Sequence, residues 1–117
     1  MTEDPTAADA IQLREYLDAA TTARGKISWD GDYPEYPREI SDLMHYITNS
    51  TWCNHQYDPT EAKNILERLG SADFNEIRSI LTAVSRSERF CTGAWKSTLE
   101  GGTLDDIVSR AEQITKA

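Results

Sequence analysis

Three windows of this chain repeat apolar residues at the spacing of one helical face, and that periodicity limits the fold more than any other feature. Ile40, Leu43, Met44 and Ile47 stand at i, i+3, i+4 and i+7. Ile77, Ile80, Leu81 and Val84 form a second stripe, and Leu104, Ile107, Val108, Ala111 and Ile114 a third. A helix with one apolar face cannot bury it alone, so each stripe must pack against another. A chain of 117 residues has room for one such core. The expectation is an all-α fold, a compact single domain over 1–117, with five or six short helices and residues 1–5 frayed.

Local signals set the helix ends. Residues 6–24 are rich in Ala, with Ile11, Leu13, Tyr16, Leu17 and Ala20 as a rough stripe. Gly25 fits the left-handed position just past a helix end. Pro37 suits the first turn of the next helix, which should stop near Asn49, ahead of an aromatic-rich connector at 50–57. Asp58, Pro59 and Glu61 then supply a cap, a first-turn proline and a third-position acid. Ala62, Ile65, Leu66 and Leu69 are the expected buried face of that helix, with Gly70 ending it and Ser71 capping the next. Residues 93–100 read as a short helix closed by Gly101 and Gly102, and Thr103 with Asp106 opens the last one.

Residues 25–37, GKISWDGDYPEYP, interrupt this series. Each Pro pushes its predecessor toward extended geometry, and Asp-Gly marks a turn. An irregular aromatic and proline-rich loop is expected here, packed down on the helices through Trp29, Tyr33 and Tyr36. A strand at 26–29 has no evident partner.

Charge is unevenly distributed. The formal total is −8; residues 1–63 hold 12 acids and 5 bases, a balance of −7, and residues 64–117 hold 8 and 7. Asp30, Asp32, Glu35, Glu39 and Asp42 are opposed only by Arg38, and Asp9, Glu15 and Asp18 add to them from the first helix. Such a field repels nucleic acids and anionic membranes and favours basic partners.

Several function classes lack their signatures. No window has the roughly 18 consecutive apolar residues of a membrane span, and the start MTEDPTAADA is acidic where a signal peptide is basic and then apolar. A cytoplasmic location is expected, with Cys53 and Cys91 as reduced, buried packing groups. Zinc sites use close ligand pairs, and among His45, Cys53, His55 and Cys91 only Cys53-x-His55 is close, so no metal or cofactor is expected. Neither a nucleophile elbow nor a phosphate-binding glycine loop is present, which points away from an enzyme.

The stretch 80–102, ILTAVSRSERFCTGAWKSTLEGG, is the most unusual. Continuing the helix past Arg86 would bring Glu88 toward the apolar face and Phe90 toward the basic one. Either the helix ends there, or Glu88 is partly buried and needs a partner, for which Arg78, Arg86 and Arg89 are the candidates. Phe90 and Trp95 would then plug the core. The same arginines beside a helix start at Gly93 are also a candidate anion site.

The run LTAVSRSERFCTGAW, followed by LEGGTLDDIVSRA, resembles an uncharacterised prokaryotic family catalogued as domain of unknown function 6508. The resemblance rests on Leu81, Thr82, Ala83, Arg86, Arg89, Phe90, Cys91 and Gly93. It lies mainly in the C-terminal half and implies a fold without implying a reaction.

The functional expectation is a small acidic protein-interaction module of the phage or mobile-element inhibitor type, which binds a basic, nucleic-acid-binding surface of a partner protein. Its expected contact residues are Trp29, Asp30, Asp32, Tyr33, Glu35, Tyr36, Glu39 and Asp42, with aromatic anchors ringed by charge. Direct binding of nucleic acid or membrane is not expected. The alternative is a module for a small anionic ligand, enzymatic or not, built on Arg78, Arg86 and Arg89.

Overall fold

A computed structural model describes residues 5–54, 58–89 and 91–115, with the backbone alone at Pro59 and Arg89. The expectations placed on residues 1–4, His55, Tyr57 and Phe90 lie outside these residues. Thr6 opens the first helix, α1 (Ala7–Ala23), with a reciprocal cap. Its hydroxyl accepts from the Asp9 amide, and the Asp9 carboxylate accepts from the Thr6 amide at 2.8 Å. A two-stranded hairpin follows, β1 (Ser28–Asp30) and β2 (Tyr33–Glu35), and then α2 (Arg38–Thr48), α3 (Ala62–Glu67), α4 (Phe74–Arg86), α5 (Ala94–Glu100) and α6 (Thr103–Thr115).

The three apolar stripes face one another as their spacing demands. α1 packs on both α2 and α6, and α4 closes the ring by touching α2 and α6. Ile40, Leu43 and Ile47 meet Ile77, Leu81, Leu104, Ile107 and Val108 there, all fully buried. α3 rests on α4, while α5 bridges α4 and α6. Trp52 from the 50–54 connector is fully buried in the same core. Its indole N–H reaches the Asp9 carbonyl at 3.4 Å, which ties the connector to the start of α1.

The all-α expectation holds, and several local expectations do not. The segment 25–37 forms a hairpin where an irregular loop without a strand partner was expected; the partner is the segment's own second half. Gly25 lies in a 3-10 turn and does not adopt the left-handed conformation. The cap of α4 is Asp73, whose carboxylate accepts from Glu76 N at 2.8 Å; Ser71 sits in the preceding 3-10 turn with Gly70. Leu66 and Ile11 are exposed at 39% and 61%, because α3 is too short and α1 too lightly covered to bury more than a narrow stripe. Pro5, expected to fray, is buried.

These placements separate the exposed Leu66 from the buried Ile77 energetically. Leu66→Ala should change the unfolding free energy by less than about 0.5 kcal/mol, as expected of a surface site. Ile77→Ala should cost about 2–5 kcal/mol through lost burial and a cavity. Urea denaturation of the two variants against the parent checks both.

Candidate functional site

The hairpin owes its geometry to its turn. Asp30 pairs with Tyr33 across Gly31-Asp32, and Gly31 has φ 63°. A glycine at the first of two turn positions is the type II′ arrangement, whose twist suits a hairpin. Counting outward, Trp29↔Pro34 is the non-hydrogen-bonded pair, so the N–H that Pro34 lacks removes no ladder bond. Strand alternation then sorts the side chains by face. Trp29 and Pro34 share the inner face, where the Trp29 ring lies 3.4 Å from the position a Cβ would take on Gly93. Asp30, Tyr33 and Glu35 share the outer face.

The inner face is anchored by Glu88. One carboxylate oxygen accepts from the Tyr36 hydroxyl at 2.7 Å and from the Trp95 amide at 3.1 Å; the other accepts from the Gly93 amide at 2.7 Å. α4 does end at Arg86 and Glu88 is half-buried, so both alternatives read from the sequence hold together. The partners of Glu88 among the described residues include groups the sequence reading did not consider, the free amides at the start of α5 and a tyrosine. Tyr36 also packs its ring against Trp95, with centroids 5.1 Å apart, and the Trp95 indole donates to the Val84 carbonyl at 3.0 Å. Burial first, and then the bond to Glu88, hold the Tyr36 hydroxyl protonated well above the ordinary tyrosine range.

Of the candidate arginines, Arg78 is engaged away from that helix start. Arg78 is buried and spends its guanidinium on the connector, donating to the Thr51 carbonyl at 2.8 Å and to the Thr51 hydroxyl. Arg86 is half-buried at the end of α4, and the side chain of Arg89 lies outside the described residues. The amides at Gly93 and Trp95 that would receive an external anion already hold Glu88. Cys53 is buried as expected, but Cys91 is exposed, since it sits in the turn between α4 and α5. Among the described residues no group of three or more His, Cys, Asp or Glu side chains stands close enough to hold a metal ion, and no helix is long and apolar enough to cross a membrane.

The expected contact residues split into three environments. Asp30, Asp32, Tyr33 and Glu35 are exposed on the hairpin, with Tyr33 at 71%. Glu39 and Asp42 line a groove of about 290 Å³ between α1 and α2 together with Glu15 and Tyr16, and Arg38 pairs with Asp42 at 3.5 Å. Tyr36 is half-buried and engaged within the fold by Glu88 and Trp95, while Trp29 has its ring on Gly93 and half its surface exposed.

The model of a family of unknown function, DUF6508, matches residues 5–117. The chain belongs to that family. No curated protein and no solved structure matches it. The DUF6508 match takes in the hairpin and α1 as well as the C-terminal run, so the Glu88 contact joins two parts of one family domain. Sequence reasoning missed a second feature of this DUF6508 chain. A groove beside Glu88 is lined by Met44, His45, Thr48, Asn49, Ser85 and Trp95. Its only sequence trace is that His45 and Asn49, and likewise Ser85 and Glu88, are spaced to share a side of their segments.

Glu88→Ala should destabilise the domain by about 2–3 kcal/mol, because two amides and a hydroxyl lose their acceptor together. Tyr36→Phe should cost about 1 kcal/mol and reveal a pH effect. The hydroxyl's folded-state pKa lies above its unfolded value of 10.0, so its contribution is complete below that pH and is lost as pH rises beyond it. Alkaline denaturation should therefore begin later in Tyr36→Phe than its neutral-pH stability suggests. Paired denaturation curves at neutral and alkaline pH check this.

Proposed function

We propose that this DUF6508 domain is a non-enzymatic interaction module that docks on a basic protein surface through the outer face of its hairpin. The observation that carries the reading is Tyr33, 71% exposed and paired across the strands from Asp30. An aromatic ring held out by a short ribbon costs little entropy to bury and gains much area, which is how interface centres are built. Asp30, Asp32 and Glu35 surround it with charge, and the hairpin's inner face is pinned by Trp29 and Tyr36, so the outer face is pre-organised.

The proposed partner is a cytoplasmic nucleic-acid-binding protein, since carboxylates set along a ribbon compete for the same lysines and arginines that hold a phosphate backbone. In that reading the domain acts as an inhibitor of the phage or mobile-element type. The anion-site alternative gains no support from the geometry, because Glu88 already fills the helix start at Gly93.

Affinity capture from the native host, with bound proteins identified by mass spectrometry, tests the proposal. The parent should retain a basic protein that duplex DNA displaces. Tyr33→Ala combined with Asp30→Lys and Glu35→Lys should lose it while the thermal midpoint stays within a few degrees, as surface changes allow. Undiminished capture by the triple variant refutes the proposal.

A further inference from the structure

The groove of about 470 Å³ between the end of α2 and the α4–α5 turn lies apart from the hairpin's outer face and has a chemistry of its own. Its volume falls in the range of small-molecule pockets. Its polar lining has spent most of its side-chain donors and kept its acceptors. Thr48 donates its hydroxyl to the Met44 carbonyl at 2.9 Å, and Ser85 donates to the Thr82 carbonyl at 2.8 Å. The Asn49 amide donates to the His45 carbonyl at 2.9 Å, and the Trp95 indole N–H is committed to Val84. What these groups retain are the oxygen lone pairs of Thr48, Ser85 and Asn49, against the one remaining N–H of the Asn49 amide.

Two sources of negative potential add to this. Glu88 contributes a carboxylate whose hydrogen bonds, among the described residues, number two on one oxygen and one on the other, leaving acceptor capacity on the second. Thr48 and Asn49 mark the C-terminal end of α2, where the helix carbonyls carry partial negative charge. Trp95 and Met44 supply the apolar wall, and an indole is the best of the aromatic surfaces for a cation. His45 is the single lining residue whose ring can offer a donor.

From this pattern we propose that the groove is a binding site for an organic cation, an ammonium or guanidinium group on a short apolar stem. Such groups are donors without acceptors, the complement of this lining. An anionic ligand of the same size would be repelled by Glu88 and by the carbonyl end of α2, and a neutral donor would gain hydrogen bonds without the attraction of opposite charge. The proposal does not depend on the hairpin's role, because no outer-face residue lines the groove.

Titration of the full chain with agmatine, followed by two-dimensional proton–nitrogen NMR, tests it. Saturable shifts are expected at the Trp95 indole and the Asn49 amide, weakening with added salt. Butylurea, a neutral donor of similar shape, should bind far more weakly, because it lacks the charge. Glu88→Gln should weaken agmatine about tenfold by removing the charge. Because Glu88 also supports the fold, Asn49→Lys serves as the second variant: at an exposed position it supplies a tethered ammonium and should abolish agmatine binding in a folded protein. Tighter binding of a capped arginine than of agmatine assigns the site to a polypeptide side chain, and the reverse order assigns it to a free amine. Absence of saturable shifts with agmatine, equal shifts with butylurea, or unchanged binding in Asn49→Lys overturns the proposal.

Discussion

The Glu88 carboxylate stands between donors from two distant stretches of chain, and both the hairpin's position and the start of α5 follow from that contact. A half-buried carboxylate must be satisfied, and the first amides of a helix have no partner within it. Placing Glu88 at the start of α5 meets both needs with one side chain. Gly93, at φ 87°, makes the sharp entry that turns its own amide and that of Trp95 toward the carboxylate. Tyr36 is the third donor and carries the hairpin with it. A two-stranded ribbon is marginal in isolation. This one persists because Tyr36 packs on Trp95 and Trp29 covers Gly93.

Most of the architecture was legible in the sequence because it rests on helical periodicity and capping residues. The stripes at 40–47, 77–84 and 104–111 are all buried where their spacing places them. The failures have physical causes. The hairpin escaped because its strands are three residues long and half of their positions are charged or proline, so the strand alternation never becomes a hydrophobic pattern. Asp30-Gly31 was read as a turn, but the pairing depends on the body beneath it, through Tyr36 and Trp29. Leu66 failed because a six-residue helix buries one side chain well and cannot bury two.

The candidate site was legible only in part. That Glu88 needs a partner could be argued from the helical wheel. Which partner it takes could not, because an amide at a helix start leaves no mark in side-chain chemistry. The acids at 30–42 could be counted, but their separation into an exposed ribbon and a groove on α1 depends on the hairpin. The groove at the end of α2 was invisible because its character comes from where hydroxyl and amide donors point, and that is fixed by helix carbonyls four residues away or nearer.

The fate of the basic residues completes the argument about charge. Arg14 bridges α1 to Asp105 and Glu112 of α6, Arg68 pairs with Glu76, Arg78 holds Thr51, and Arg110 donates to the Ala72 carbonyl. Four of the cations are thus consumed in joining elements of the scaffold, where multiple donors on one planar group can tie a helix to a connector. Two of them meet backbone or hydroxyl oxygens. Among the described residues the acids of the hairpin enter no ion pair, and on α2 Arg38 pairs with Asp42. The surface around residues 30–42 is therefore negative because the fold uses its positive charges elsewhere. An acidic hairpin held rigid from behind by Glu88 is the consequence, which makes an inner-face carboxylate a support for the outer-face ones.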